Sequence, residues 1–135
     1  MSESYETPQD AEDAFYDALE EGDPGKVLAV WADSDDISCL LPRYPLIRGR
    51  KDVEDVFRHL FSRGQGIALT VTHLDWINSD DIAIHHVEET LQQVPPGTPP
   101  PPPFYGTNIY RKGDGGWRMI THLNAPMPQA PGQGV

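Results

Sequence analysis

"VEDVFRHLFSRGQGIALTVTHLDWI", Val53 to Ile77, changes its period halfway along. Val53, Val56, Phe57, Leu60 and Phe61 recur at spacings of three and four, the stripe of a helix with one buried face. After "RGQG" the spacing falls toward two: "IALTVTHLDWI" alternates weakly, as a strand with one buried face does. Upstream of this switch the chain reads mainly as helix, and downstream as strand and turn. That division predicts an α+β domain whose helices cover one face of a sheet.

Working upstream, Thr7-Pro8 supplies an N-cap and a first-turn proline, with Asp10 at the capping-box position. Ala11, Ala14, Phe15, Ala18 and Leu19 follow at helical spacing and leave the acids to the opposite face, until Gly22 stops the helix. Asp23-Pro24 repeats the start signal for a short second helix carrying Val27, Leu28 and Trp31. Ile37 to Leu41 reads as a short strand closed by Pro42, and "RYPLIRG" as a turn-rich connection. The third helix runs from about Lys51 to Arg63.

Working downstream, "NSDD" turns the chain into the strand "IAIHHVEETLQQV", and "FYGTNIYRK", "GDGG" and "WRMITHLNA" form a hairpin. Between the middle strands, "VPPGTPPPPPF" carries seven of the fourteen prolines. Its five consecutive prolines have almost no backbone donors and adopt polyproline II. A stiff hairpin excursion is favoured over a ligand for a polyproline-reading domain, because no basic residue flanks the run. The expected organisation is one domain over 1–127 and a Pro/Gly-rich tail over 128–135.

The formal net charge is −11, and residues 1–36 hold twelve acids against the single base Lys26. Such a balance argues against nucleic acid and membrane partners. The single cysteine excludes an internal disulfide, and neither a signal-peptide core nor an apolar run of membrane-spanning length is present. The expectation is a soluble, cytoplasmic protein.

Taken in order, the "GD" corner, "VWADSDDISCLLP", "LIRGRKDVEDVFRHLF", "HHVEE", "TNIYRK" and "GWRMITHLNAP" resemble the nuclear-transport-factor-2-like superfamily, nearest its polyketide-cyclase and ketosteroid-isomerase-like branch. The resemblance spans roughly residues 10 to 127. It implies a strongly bent mixed sheet forming a cone around the three helices (the cystatin-like cone), an apolar pocket at its open end, and a homodimer. It also implies a small hydrophobic ligand. Members of the superfamily include isomerases, dehydratases and cyclases, so fold does not settle the reaction. One departure stands out: this branch often reads "SC-x-H-P" where the present chain has "SCLLP", with Leu41 in place of a histidine.

Cys39 lies mid-strand among apolar residues, which favours a small core residue over a nucleophile. Arg43, Arg48, Arg50 and Lys51 surround a helix start that would suit an anion, but without a glycine-rich loop Arg50 and Lys51 read as partners of the acidic first helix or as solvated. His85 and His86 point to opposite faces of a strand and cannot easily share a metal, and no spaced set supplies further ligands, so neither metal nor organic cofactor is expected. His86 and Glu88 share one face, His85 and Glu89 the other. In the final strand His122 and Asn124 alternate with Thr121 and Leu123, on the face opposite Trp117 and Met119. If the His122 face lines the cone, His122 is the candidate acid or base; if not, it lies at a dimer interface. Asn108 and Asn124 are candidate ligand-orienting groups, with His86, Phe57 and, at the pocket rim, Tyr16 and Trp31. Three functions stay open: a hydrophobic-molecule binder with cofactor-free acid–base activity, a non-catalytic dimeric module with a closed pocket, and polyproline-mediated protein recognition.

Overall fold

The computed structural model describes residues 4–92, 94–99 and 101–128. The tail expected at 128–135 lies, Pro128 apart, outside the described residues, as does Pro100 of the proline run. Three helices, α1 (Pro8–Glu21), α2 (Pro24–Val30) and α3 (Arg50–Leu60), accompany six strands: β1 (Ser38–Leu40), β2 (Ile47–Arg48), β3 (Leu69–Asn78), β4 (Ile82–Leu91), β5 (Phe104–Gly113) and β6 (Gly116–Pro126). The strands form one curled, unclosed sheet in the order β2-β1-β6-β5-β4-β3. Only β1 and β6 run parallel; every other pair is antiparallel.

The caps are those the sequence announces. Thr7 accepts from the Asp10 backbone N–H, Asp23 accepts from that of Lys26, and Gly22 closes α1 in the left-handed region at φ 70°. The stripe of α1 packs into the concave face of the sheet around Phe15. That ring meets Tyr16 and His122 at 5.1 Å, and Trp31 and Phe57 at 6.4 Å. Aromatic contacts of this kind add about 0.5–1.5 kcal/mol each beyond area burial.

Two one-residue bulges decide which side chains face inward. In β6 the register steps from Thr121 opposite Ile109 to Met119 opposite Tyr110, leaving Ile120 unpaired. Met119 and His122, three apart, therefore share the buried face, which corrects the strict alternation expected for this strand. In β3 the step between His73 and Asp75 passes over Leu74 and turns both His73 and Trp76 toward the buried side of β4.

The two basic residues at the start of α3 part company. Arg50 does not reach α1. It turns inward and donates to the carbonyls of Leu28, Trp31 and Ala32 at 3.0–3.1 Å, capping the C-terminal end of α2. Lys51 stays exposed and pairs with Asp55 on its own helix. Arg50 thus joins α3 to α2 through carbonyls at the end of the helix, of which that of Leu28 also accepts from the Trp31 N–H at 3.2 Å. Replacing Arg50 with methionine should lower the urea-unfolding free energy by about 1–3 kcal/mol; Lys51→Met, at an exposed surface pair, should leave it unchanged within error.

Candidate functional site

Burial of one carboxylate organises the polar interior. Glu12 sits on the inner face of α1 with 1% exposure, against the expectation that the α1 acids face outward. Its Oε1 accepts from His73 Nε2. Its Oε2 accepts from His85 Nδ1 at 2.9 Å, Asn108 Nδ2 at 3.1 Å and the Tyr110 hydroxyl at 3.2 Å. Burial by itself would raise the carboxyl, but the hydrogen bonds from His85 and His73, the charge of His85 and the Asn108 amide outweigh it. The carboxyl is held below its ordinary value of 4.5 and stays ionised at neutral pH. Tyr110 moves the other way: burial, then the Glu12 charge, push its phenol well above 10, so it remains a neutral donor.

A second carboxylate, Glu89, lies on the same face of β4, two residues beyond Val87 and four beyond His85. Its Oε2 accepts from the Tyr16 hydroxyl at 2.5 Å, and its Oε1 from Asn124 Nδ2 at 2.9 Å. Burial first, and then the Glu89 charge, raise the Tyr16 phenol well above 10. Asn108 ties the two centres together, because its Nδ2 also donates to the Tyr16 oxygen at 2.9 Å. Gly106 makes room for this arrangement: a Cβ there would come within 3.0 Å of Glu89 Oε2.

His122 stands between two amides whose orientations are fixed. Asn108 turns its nitrogen to the Glu12 carboxylate, so its oxygen faces His122 Nδ1 at 2.5 Å. Asn124 turns its nitrogen to Glu89 and to the Tyr105 carbonyl, so its oxygen faces His122 Nε2 at 3.1 Å. Both ring nitrogens therefore meet acceptors. An imidazolium satisfies both and a neutral ring only one. The Glu89 carboxylate is 3.9 Å from Nε2.

Glu89, His122 and Asn124 form the floor of a cavity of about 600 Å³. Its walls are apolar, with Leu19, Phe57, Leu60, Leu69 and Phe104, and Arg43, Pro101 and Pro102 also line it. The proline run, expected as a plain excursion, thus contributes directly to the cavity. Leu41, which replaces the histidine common in the resembling branch, is a wall residue as well.

Of the residues singled out from sequence, Phe57, His122 and Asn124 line the cavity. Asn108 and Tyr16 lie behind its floor and hold His122 and Glu89 in place. Two expectations are corrected. Trp31 is buried in the core at 1% exposure between Phe15 and Phe57 and does not reach the rim. His86 faces away from the interior, where its Nδ1 meets the Thr107 hydroxyl at 3.1 Å. Cys39 is a core residue, its thiol pushed up to about 12 by burial and the Glu89 charge. Glu12, Glu89 and His73 were not among the candidates. Glu12 and Tyr16 carry a signal all the same, since they fall four apart on the α1 stripe that includes Ala11, Phe15 and Leu19.

Glu12 ties acid stability to the network. Its lowered value means that its contribution is complete above the ordinary carboxylate value of 4.5 and is lost as pH falls through the lower folded value. Glu12→Gln should cost about 2–4 kcal/mol at pH 7. The difference from the unaltered chain should narrow below pH 4.5, as measured by denaturant unfolding at stepped pH.

The SnoaL-like domain family matches residues 9–128. Among solved structures, the chain is 34% identical to a protein from Thiobacillus denitrificans provisionally assigned as a calcium/calmodulin-dependent protein kinase type II association domain; the match covers 93% of this chain and 98% of that one, with a TM-score of 0.84. A provisionally assigned dehydratase of the nuclear-transport-factor-2-like family from Streptomyces avermitilis is 24% identical, with 88% and 92% covered and a TM-score of 0.73. A ketosteroid isomerase-like protein from Erwinia carotovora atroseptica is 19% identical, with 90% and 94% covered and a TM-score of 0.68. At those identities the last two show the fold alone, and further neighbours are described as cystatin-like. No curated protein matches the chain. No helix among the described residues is long and apolar enough to cross a membrane. With the match running from residue 9 to residue 128 and the curled sheet in place, the chain belongs to the SnoaL-like domain family.

Proposed function

We propose that the cavity binds a small hydrophobic molecule bearing a carbonyl or hydroxyl group, and that Glu89 and His122 exchange protons with it. The observation that carries this reading is the composition of the cavity: predominantly apolar walls, with Arg43 among them, around a floor of one carboxylate, one imidazole and one amide. Glu89 is the base that takes a proton from the carbon beside a carbonyl. His122 donates its Nε2 proton to the carbonyl oxygen as negative charge develops there. Return of the proton from Glu89 to another carbon, and recovery of the His122 proton from the oxygen, completes an isomerisation. If Glu89 instead passes that proton to a β-hydroxyl, which leaves as water as the C–O bond breaks and His122 recovers its proton from the carbonyl oxygen, the result is a dehydration. Asn108, Asn124 and Tyr16 position the pair, and Pro101 and Pro102 close off part of the wall. Engagement of those two prolines with the cavity favours a wall over a ligand for a polyproline-reading domain.

The test is a thermal-shift screen with hydrophobic carbonyl compounds. A ligand at 100 times its dissociation constant adds about 2.7 kcal/mol and raises the midpoint by several degrees. Glu89→Gln and His122→Ala should each reduce turnover of any substrate so found by at least ~100-fold. Unchanged turnover in either variant would remove that residue from the chemistry, and silence across a broad library would favour the non-catalytic module.

We also infer a homodimer. Leu74, Trp76 and Ile77 stand 45–51% exposed along β3, an unusually apolar edge strand for a monomer in water. Light scattering at micromolar concentration should give a mass about twice 15.0 kDa, and Ile77→Lys should shift it toward the monomer.

A further inference from the structure

Glu12, His73 and His85 bring a carboxylate and two imidazoles together on the β3–β4 side of the interior, outside the cavity lining. One donor atom from each lies within 4.8 Å of the other two. We propose that these three side chains form a binding site for a first-row divalent cation, zinc first, with His73 Nε2, His85 Nδ1 and a Glu12 carboxylate oxygen as ligands.

Donor chemistry selects the ion. Two imidazoles and one carboxylate suit zinc and its first-row neighbours rather than magnesium or calcium, which take oxygen ligands. An ion held by three protein groups keeps at least one position open to water. His73 provides the way in, because its side chain is 32% exposed whereas those of Glu12 and His85 are each at 1%.

The geometry is close to what an ion requires. Ligand bonds of about 2.0–2.2 Å in a tetrahedral site put neighbouring donors about 3.3 Å apart. Glu12 Oε2 and His85 Nδ1 already stand 2.9 Å apart, and His73 Nε2 is in contact with Oε1. His73 borders the β3 bulge on an edge strand, so it is the ligand whose backbone has room to adjust. Outer support is built in as well. Asn108 and Tyr110 hold Glu12 by hydrogen bonds, while the Trp76 ring stacks on His85 at 4.6 Å and meets His73 edge-on at 5.0 Å.

Binding exchanges two N–H···O bonds for two N–metal bonds, so each ring must carry its proton on the other nitrogen. For His85 that nitrogen is Nε2, which is buried and has no hydrogen-bond partner. A proton held at Nε2 therefore displaces no existing hydrogen bond there. Bringing a divalent charge beside a buried, ionised carboxylate is also favourable, since it compensates a charge already removed from water.

The experiment titrates EDTA-treated, dialysed protein with zinc by calorimetry and with cobalt by visible absorption and tryptophan fluorescence. One ion per chain is expected, with cobalt d–d bands of nitrogen–oxygen coordination and quenching that is largely lost in Trp76→Phe. His73→Ala, at the part-exposed ligand, should weaken zinc binding by at least ~100-fold, and His73→Gln should do the same if the alanine variant folds poorly. His86→Ala, on the outer face, should leave it unchanged. Absence of saturable binding up to about 0.1 mM zinc, or equal affinity in His73→Ala and the unaltered chain, would overturn the site. Loss of binding in His86→Ala would overturn it equally. Because none of these readouts uses the cavity ligand, they stand or fall separately from the proposed acid–base function.

Discussion

An ionised glutamate inside the cone is the constraint on which the rest of the interior depends. Glu12 leaves water when α1 docks, and an unpaired buried carboxylate would cost more than the helix gains. The sheet answers with donors from three strands: His73 on β3, His85 on β4, and Asn108 and Tyr110 on β5. Each donor must arrive on the concave face at the right height, so the helix fixes sheet register as firmly as any turn does. Asn108 then has one amide oxygen left, and that oxygen sets the orientation of His122 on the next strand. The polar order of the cavity floor is inherited from a carboxylate that does not itself line the cavity.

The two β-bulges make this inheritance possible. Side chains alternate strictly along a regular strand, so a run such as Trp117, Met119 and His122 cannot share one face without an extra residue. Ile120 is that residue, and it lets β6 contribute core hydrophobes near its start and cavity polar groups near its end. Leu74 plays the same part in β3, where without it His73 and Trp76 would sit on opposite faces. A curled sheet also needs local changes of twist, which bulges provide. The devices that bend the sheet are thus the ones that aim its chemistry.

The legibility of the fold and that of the site part at this point. Helix starts at Thr7-Pro8 and Asp23-Pro24, the change of period after Phe61 and the final hairpin are local signals, and each appears where the sequence places it. Asn108, Asn124 and His122 were recognisable as polar residues among apolar strand neighbours. Their relation to Glu12 was not, because those contacts join residues 96 or more positions apart at their longest. A bulge leaves no reliable mark in a single sequence, so strict alternation put Met119 and His122 on different faces. Charge misled in the same direction: with twelve acids before position 37, one glutamate on the apolar stripe of α1 looked like one more solvated side chain. Trp31 erred the other way, since its size and its place at a helix end suit a rim as well as a core.

The cavity floor and a neighbouring cluster of metal-type donors raise the question of how independent the two centres are. They share Asn108, whose amide nitrogen bonds both Glu12 and Tyr16 while its oxygen bonds His122. Glu12 has only a limited capacity for hydrogen bonds, and four donors already use it. Any change in the charge on Glu12, by protonation or by a cation, alters how strongly Asn108 is held and hence how well His122 is oriented. Coupling through one rigid amide does not require movement of the backbone; it requires only that the three bonds to Asn108 compete for the same side-chain position. Asn108 is the residue at which the two centres meet, and its substitution by leucine, nearly the same size but without either polar atom, would sever them while leaving the cavity walls intact.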